Sequence, residues 1–257
     1  MKNLLLLSMF VAWVAATPIV EPDSIESYVI GGANAPASGI SYQVTFRTIL
    51  TLHWCGGSIV NARWVLSAAH CLDARAPSSI TVMVGSNLLD SGGAFHQAQS
   101  IRLHPSYNRN TFANDVAVLQ VTTPFVWNAR VQPVVLGSAF VGGGVNARFT
   151  GWGHTNQQGA RPNHLQVVTL STITNADCIN RLAVRGEERF VVNTKICTFT
   201  RVGQGSCPGD SGGPLVTGTN TQIGILSWGV LPCGSGFPDG FDRVSDFRTW
   251  IINNTPV

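Results

Sequence analysis

Short runs of β-branched and aromatic residues, separated by Gly, Pro, Asn and Ser, recur along most of the chain and constrain its fold more than any other feature. Such runs, with no helical periodicity between them, indicate β-barrels or a β-sandwich. The 27 glycines, the 13 prolines and a charged fraction of only 11% fit many short strands and tight turns. We therefore predict an all-β fold, with strands at residues 42–47, 64–67, 80–84, 116–121, 165–171 and 223–228.

Two segments stand apart from this pattern. Residues 122–133 carry two prolines near the middle of the chain and would link two halves. At the C-terminus, Phe247, Trp250 and Ile251 share one face of a predicted helical turn, which Ser245 is placed to cap. This end is the only place where the sequence predicts a helix.

The first residues predict a targeting segment. A mostly apolar run at residues 4–14 follows Lys2 and leads into the small-residue pattern Val14-Ala15-Ala16. The run is shorter than the ~18 residues of a membrane span, so a signal peptide at residues 1–16 is favoured over a buried N-terminal helix. Residues 17–28 are acidic, contain proline and are predicted to be an activation propeptide. We expect a secreted, extracellular protein that spans no membrane.

Cysteine content and charge limit the classes of function. Six cysteines in a secreted chain predict three disulfides, although their spacing leaves roughly 15 pairings open. The sequence has no Cys-x-x-Cys or His-x-x-x-His spacing that would indicate zinc. Asp90 is the only acidic residue in the loop after Val84, which supplies too few oxygen ligands for calcium. We therefore expect no metal and no cofactor. The basic residues are scattered and the net charge is only +3, which excludes a nucleic-acid patch.

The stretch Gly209-Asp210-Ser211-Gly212-Gly213-Pro214 carries the chemistry. A serine flanked by glycines can sit on a sharp turn with its hydroxyl exposed beside backbone N–H groups, although an ordinary Ser-Gly turn is the alternative. The stretch also fits the Gly-x-Ser-x-Gly elbow of α/β-hydrolases. Chain order separates the hydrolase classes, because no histidine follows His164 and no aspartate lies between residue 29 and His70. Only the order His, Asp, Ser survives.

The histidine and the aspartate are chosen from their surroundings. His70 ends a buried-strand pattern beside a cysteine, whereas surface or structural positions are more typical of histidines such as His53 and His104. Asp115 introduces the apolar strand at residues 116–119, which would hold its carboxylate rigidly and partly buried. The other aspartates of the interval lie in turn-like polar settings or beside the serine: Asp73, Asp90, Asp177 and Asp210. We predict a catalytic triad of His70, Asp115 and Ser211.

Five short motifs together resemble the chymotrypsin/trypsin family across residues 29–257. In chain order they are Val29-Ile30-Gly31-Gly32, Ala68-Ala69-His70-Cys71, Asn114-Asp115-Val116-Ala117, residues 209–214, and Ser227-Trp228-Gly229. The resemblance implies two antiparallel Greek-key β-barrels, at residues 29–133 with the linker and at residues 134–257 with a C-terminal helix, and an active site between them. It also implies three disulfides: Cys55–Cys71, Cys178–Cys197 and Cys207–Cys233.

The same resemblance assigns the chemical roles. His70 acts as general base toward Ser211, and Asp115 orients the imidazole. The backbone N–H groups of Gly209 and Ser211 form the oxyanion hole. Pro208 departs from the family before Gly209, but the hole uses donors that follow the proline, so the chemistry should survive.

Activation also follows from the resemblance. Asp210 would pair with the new ammonium of Val29 once the bond between Tyr28 and Val29 is cleaved. The family usually carries Arg or Lys at the place of Tyr28. We therefore expect activation by a chymotrypsin-like or broad protease, or by the enzyme itself, rather than by trypsin.

The specificity pocket departs from both trypsin and chymotrypsin. Its base, six residues before the serine, is Gly205, and Asp239 stands on the opposite wall where both enzymes usually have glycine. This arrangement resembles the brachyurin (crab collagenase) and hypodermin-type subgroup and implies cleavage after both Arg/Lys and large apolar residues. An outward-pointing Asp239 with purely apolar cleavage is the alternative. The other pocket residues are Ser206, Ser227, Trp228 and Gly229.

We therefore predict a secreted serine endopeptidase, made as a zymogen and monomeric, that acts on protein or peptide substrates and binds protein protease inhibitors. Strictly chymotrypsin-like specificity is one alternative. A catalytically inactive homologue that acts as a binding protein is another, and the complete triad argues against it. Asn253-Asn254-Thr255 matches an N-glycosylation sequon.

Overall fold

A computed structural model describes residues 29–48, 52–156 and 159–257 of the protein. The predicted signal peptide, the propeptide and Tyr28 lie outside the described residues. The strands are β1 Ala33–Asn34, β2 Gln43–Arg47, β3 His53–Asn61, β4 Trp64–Ser67, β5 Thr81–Val84, β6 Ala94–Leu103, β7 Ala117–Val121, β8 Val135–Leu136, β9 Asn146–Gly151, β10 Gln166–Ile173, β11 Lys195–Thr198, β12 Pro214–Thr217, β13 Thr221–Trp228 and β14 Asp239–Arg243. The α-helices are α1 Ala69–Leu72, α2 Asn175–Leu182 and α3 Val244–Asn254, and short 3-10 turns lie at Pro77–Ser79, Ala183–Arg185 and Glu188–Phe190.

The first six-stranded barrel closes in the order β2-β3-β4-β7-β6-β5. The chain jumps from β4 to the far strand β5 and returns with β7 beside β4, which is a Greek-key connection. Large apolar side chains that fill its core are fully buried, among them Phe46, Ile59, Trp64, Leu66 and Leu119. The apolar runs of the sequence are thus the inner faces of this barrel.

The second barrel repeats this arrangement. Its strands follow the order β10-β11-β14-β13-β12-β9, and antiparallel pairing of β10 with β9 closes the ring. Phe149 and Phe241 meet edge to face in its core, with ring centroids 5.5 Å apart. Outside the ring, β1 extends β10, and β8 pairs with β13 in parallel. Two closed antiparallel barrels and a C-terminal helix confirm the predicted all-β fold class.

Helix α3 ties the two barrels together. It follows the last strand of the second barrel, yet Val244, Phe247 and Ile251 are buried in the same apolar cluster as the first barrel's core. Trp250 packs at the edge of that cluster, so the predicted helix and its apolar face are confirmed. The predicted cap is wrong, because α3 begins directly after β14 with Arg243 at the N-cap and Ser245 as its second residue.

Helix α2 was not predicted from the sequence. Thr174 caps it by accepting a hydrogen bond from the backbone N–H of Asp177 and donating one to its carboxylate. Asp177 therefore lies in the first turn of a helix rather than in the polar turn we expected. No helix of the described ranges is both long enough and apolar enough to cross a membrane.

Three disulfides cross-link the chain, one within its first half and two within its second half, with the pairing that the resemblance implied. They are Cys55–Cys71, Cys178–Cys197 and Cys207–Cys233. The first joins β3 to α1 and closes a loop with a sequence separation of 16 residues. A loop of this length is worth about 3 kcal/mol on the chain-entropy account.

Candidate active site

His70 is held by both oxygens of Asp115. Helix α1 follows β4 immediately and places the His70 ring so that Nδ1 lies 2.7 Å from Oδ2 of Asp115. The backbone N–H of His70 donates to Oδ1 of the same carboxylate at 2.8 Å. Because Nδ1–H points at the carboxylate, Nε2 is left as the basic nitrogen.

Asp115 is fully buried just before β7. Burial alone would raise the pKa of its carboxyl group, but the hydrogen bond and charge of His70 and the ammonium of Lys195 outweigh burial and hold the pKa below its usual value. The carboxylate therefore stays ionised at neutral pH and can stabilise a protonated imidazole.

Ser211 shares a cleft with His70. The cleft has a volume of about 380 Å³ and is lined from both barrels, by Trp54 and His70 on one side and by Gly209, Ser211 and Trp228 on the other. The Ser211 carbonyl accepts a hydrogen bond from the backbone N–H of Gly56 at 2.8 Å, which fixes the serine turn to β3.

The residue after the serine has to be glycine. Gly212 has a φ of +77°, and a Cβ atom there would overlap Oγ of Ser67. Gly212 is thus required by a left-handed turn that packs tightly against the first barrel.

His53 holds the carbonyl group of the predicted oxyanion loop. Its Nε2–H donates to the Gly209 carbonyl at 2.9 Å, and its Nδ1 accepts from the hydroxyl of Thr45 at 2.7 Å. Burial lowers the pKa of His53 to about 3, so the ring is neutral with its single proton on Nε2. This contact could not be predicted from the sequence, in which His53 is marked only by its position two residues before Cys55. His53 is a buried structural residue.

Asp210 lies beneath the same loop. It is fully buried and accepts hydrogen bonds from the backbone N–H groups of Gly153 at 2.7 Å and of Cys207 at 3.0 Å. Burial raises its pKa to about 7 against the effect of these donors. A Cβ atom on Gly151 or Gly153 would overlap the Asp210 carboxyl group, so the site is built closely around this acid.

The specificity residues cluster around the Asp239 carboxyl group. Ser206 donates to both of its oxygens, from the backbone N–H and from the hydroxyl, each at 2.8 Å. Cβ atoms on Gly205 and Gly229 would lie 2.9 and 2.7 Å from these oxygens. Asp239 is only 7% exposed and is turned toward these residues, not outward as in the alternative. Ser206 lines the cleft itself.

A second cleft of about 430 Å³ adjoins the first. It shares His70, Ser211 and Trp228 with the first cleft and adds the aromatic rings of Phe112 and Phe190. The Phe112 ring meets His70 edge to face at 5.7 Å, so the apolar wall reaches the imidazole.

Ser227 has a contact that the sequence did not predict. We placed Ser227 among the pocket residues, but its hydroxyl donates to Oδ2 of Asp115 at 2.7 Å. It also accepts from the ammonium of Lys195, which is paired with Asp242. Neither Lys195 nor Asp242 stood out in the sequence as a functional residue.

One cluster of potential metal ligands occurs within the described parts of the chain. It consists of Cys55, His70 and Cys71. Both sulfur atoms are consumed in the disulfide between these cysteines, so no thiolate is present to bind a metal. The donor set therefore does not fit a zinc site.

Two antiparallel six-stranded barrels, with a buried aspartate–histidine pair and a glycine-flanked serine in the cleft between them, define the chymotrypsin-like class of serine endopeptidases. Sequence comparisons agree with this assignment, because the family described as Trypsin matches residues 29–251. The chain belongs to this trypsin family.

Relatives match over nearly their full length. The chain is 39% identical to Chymotrypsin-2 of Vespa crabro over 88% of this chain and 99% of that protein. It is 37% identical to Serine protease 1 of Rattus norvegicus over 98% of this chain and 97% of that protein. Identity to Trypsin beta of Drosophila erecta is 33%, over 90% of this chain and 89% of that protein. The chain is thus similar to enzymes named for either specificity.

Proposed function

We propose that this serine endopeptidase cleaves peptide bonds with His70, Asp115 and Ser211 as its triad. Nε2 of His70 takes the Ser211 proton as Oγ attacks the carbonyl carbon, and His70 then protonates the leaving amine. Water repeats these steps on the acyl-enzyme. The proposal rests on one observation: both carboxylate oxygens of Asp115 are hydrogen-bonded to His70, which lines the same cleft as Ser211.

The N–H groups of Gly209 and Ser211 are proposed to bind the developing oxyanion. Support comes from the peptide that carries the Gly209 N–H. Its carbonyl, that of Pro208, accepts a hydrogen bond from the backbone N–H of His154 at 2.9 Å, and in a trans peptide the Gly209 N–H points the opposite way. Changing Ser211→Ala should reduce kcat by about 10⁶-fold, with the fold and substrate binding retained. A Ser211→Ala enzyme with substantial turnover would disprove this triad.

We propose a broad specificity, for Arg or Lys and for large apolar residues before the scissile bond, as in the brachyurin-type subgroup. Gly205 leaves the pocket base uncharged, and Asp239 supplies an off-axis carboxylate on the side wall. The inward direction of Asp239 and its contact with the cleft residue Ser206 support this reading. Comparison of kcat/KM on Arg and Phe peptides tests it, with Asp239→Gly losing Arg cleavage selectively. Unchanged Arg cleavage in Asp239→Gly would contradict the pocket proposal.

A strictly chymotrypsin-like specificity is the second candidate. The Ser206 hydroxyl stands at the cleft and donates to Asp239, so a neutral group faces the substrate there. The same peptide comparison separates the two proposed specificities, because this candidate predicts no measurable Arg cleavage at any pH.

A purely partner-binding homologue would take no label from an organophosphorylating inhibitor.

We also propose that cleavage of the bond between Tyr28 and Val29 activates the enzyme. Val29 is fully buried in the core cluster of the second barrel, and Asp210 is a buried acid that a new ammonium would neutralise. Incubation of the Ser211→Ala zymogen with trypsin, and separately with active enzyme, followed by N-terminal sequencing, tests the activator. Clean release of Val29 by trypsin alone would refute activation by a chymotrypsin-like or broad protease.

The remaining parts of the proposal concern processing and partners. Residues 1–16 would be removed on secretion, residues 17–28 on activation, and the halves at residues 29–133 and 134–257 would each carry one barrel. The enzyme would act outside the cell as a monomer and bind protein protease inhibitors. N-terminal sequencing of the secreted and activated chains, with light scattering of the active enzyme, tests these points.

A further inference from the structure

A buried ionic cluster adjoins Asp115 and has no part in the mechanism described above. Lys195 on β11 and Asp242 on β14 lie directly opposite each other in antiparallel register. Both side chains are fully buried, and Nζ of Lys195 lies 2.7 Å from Oδ2 of Asp242. A buried ion pair carries a large desolvation cost and is seldom an efficient source of stability. We therefore expect the pair of Lys195 and Asp242 to have a role other than stabilising the fold.

All three ammonium protons of Lys195 are used, and each goes to a different element. One donates to Asp242 on β14 at 2.7 Å and one to the hydroxyl of Ser227 on β13 at 2.9 Å. The third donates to the backbone carbonyl of Phe112, in the loop before β7, at 2.6 Å. Lys195 thus connects two strands of the second barrel with the loop that delivers Asp115.

The bond to Ser227 decides where the hydroxyl proton points. A hydroxyl has one proton and two lone pairs, and Lys195 donates to one of the lone pairs. The Ser227 proton then goes to Oδ2 of Asp115 at 2.7 Å. The same oxygen accepts the Nδ1–H of His70. Lys195 therefore orients the group that fixes the catalytic carboxylate.

The bond to Phe112 restrains a strained loop. Phe112 and Asn114 have φ values of +53° and +55°, left-handed conformations that non-glycine residues seldom adopt. The Phe112 ring packs edge to face on His70. By holding the Phe112 carbonyl, Lys195 helps to position the ring beside His70 and the chain that leads into Asp115.

The charges of the cluster balance only when His70 is protonated. The two negative charges of Asp115 and Asp242 are then balanced by the two positive charges of Lys195 and the His70 imidazolium. Burial raises the pKa of Asp242 to about 6 although Lys195 opposes this, so Asp242 is mostly ionised at pH values above about 7. Tyr107, whose pKa burial raises to about 12, also interacts with the charge of Asp115, and the paired charges of Asp73 and Arg109 act on Tyr107.

We propose that Lys195 and Asp242 form a positioning pair for the catalytic aspartate and histidine. Lys195 fixes the Ser227 proton and the Phe112 loop in place, and Asp242 balances the charge of Lys195 so that the imidazolium can form. Neither residue lines either cleft. The inference rests on the proposed function, since it takes the roles of Asp115 and His70 from there.

The test is the pH profile of kcat/KM on a Phe substrate, with rates referred to titrated active sites. In Asp242→Asn, the unbalanced charge of Lys195 disfavours protonated His70. The acid limb should move to lower pH by about half a unit or more, and the plateau should fall roughly three- to tenfold. Asp246→Asn is the matched control, because it removes one negative charge from a carboxylate that is 33% exposed and should leave the profile unchanged.

The double variant Lys195→Met/Asp242→Asn separates positioning from charge. With both charges gone, the acid limb should return to within about 0.2 units of the original, while kcat stays roughly tenfold low and KM changes by less than about twofold. An acid limb of Asp242→Asn that matches Asp246→Asn, or a double variant with the original kcat, overturns the proposal. If Asp242→Asn fails to fold, the double variant decides alone.

Ser211→Ala, assayed in parallel, keeps the two proposals apart. Turnover by Ser211→Ala would refute the triad itself. An inactive Ser211→Ala beside an unshifted Asp242→Asn would refute the positioning pair and leave the triad standing.

Discussion

The Asp239 carboxyl group is expected to change the enzyme's preference between cationic and apolar side chains as the pH changes. Burial raises the pKa of Asp239 to about 7, and the two donors of Ser206 only partly oppose this. With that pKa, roughly a tenth of the enzyme carries the Asp239 charge at pH 6 and roughly nine tenths at pH 8. Only the charged form attracts the side chain of Arg or Lys. The ratio of kcat/KM for an Arg peptide to that for a Phe peptide should therefore rise about ninefold over this range.

The assay is a ratio because both substrates depend equally on the catalytic triad, so any pH effect that the two substrates share cancels. Asp239→Asn is the informative variant, since it keeps the size of the side chain and removes the charge. Its ratio should stay low and flat from pH 6 to pH 8. A flat ratio in the original enzyme, or a ratio that still rises in Asp239→Asn, would refute the reasoning.

The raised pKa of Asp239 also makes the stability of the fold depend on pH. The folded-state pKa of Asp239 is raised above its unfolded value of 3.8, so the protonated form stabilises the fold. That contribution is fully present below about pH 4 and is lost as the pH rises through about 7. Asp239→Asn should therefore raise the Tm at pH 8 more than at pH 5. Equal changes in Tm at the two pH values would contradict this.

Three further changes have defined outcomes. Gly212→Ala should lower the free energy of unfolding by more than the ~1–2 kcal/mol that a left-handed non-glycine residue costs, because its Cβ atom would also meet Ser67. Gly218→Ala is the control, since a Cβ atom there meets nothing within 4 Å, and thermal unfolding of the two variants measures the difference. His53→Leu should lower kcat by about tenfold or more with little change in KM, since the Gly209 carbonyl loses its donor, and an unchanged kcat would exclude a role in the oxyanion loop. Replacing Cys55 and Cys71 together by Ala should cost about 3 kcal/mol in denaturant unfolding, and a loss under 1 kcal/mol would contradict the loop-closure account.

Much of the fold was predictable because its signals are local. Strands β4 and β7 coincide with apolar runs that begin or end beside His70 and Asp115, and the order of His, Asp and Ser along the chain excluded the other serine hydrolases. The C-terminal helix was predicted from three apolar residues at helical spacing, although its start was not, because β14 runs directly into it.

The supporting contacts of the site were not predictable, because they depend on strand register. Lys195 and Asp242 meet only because β11 and β14 pair in one register, and a shift of β11 by one residue would turn Lys195 to the other face of the sheet. His53 and Gly209 are brought together by the packing of one barrel against the other. Nothing in the local sequence around either pair indicates such a partner.

The most direct test of the account is covalent labelling of the nucleophile. Active enzyme treated with an organophosphorylating inhibitor should take up one label per molecule, and peptide mass spectrometry should place it on Ser211. The Ser211→Ala enzyme should take up none, and His70→Ala should be labelled far more slowly. A label on another residue, or stoichiometric labelling of Ser211→Ala, would contradict the assignment of Ser211, His70 and Asp115 as the catalytic triad.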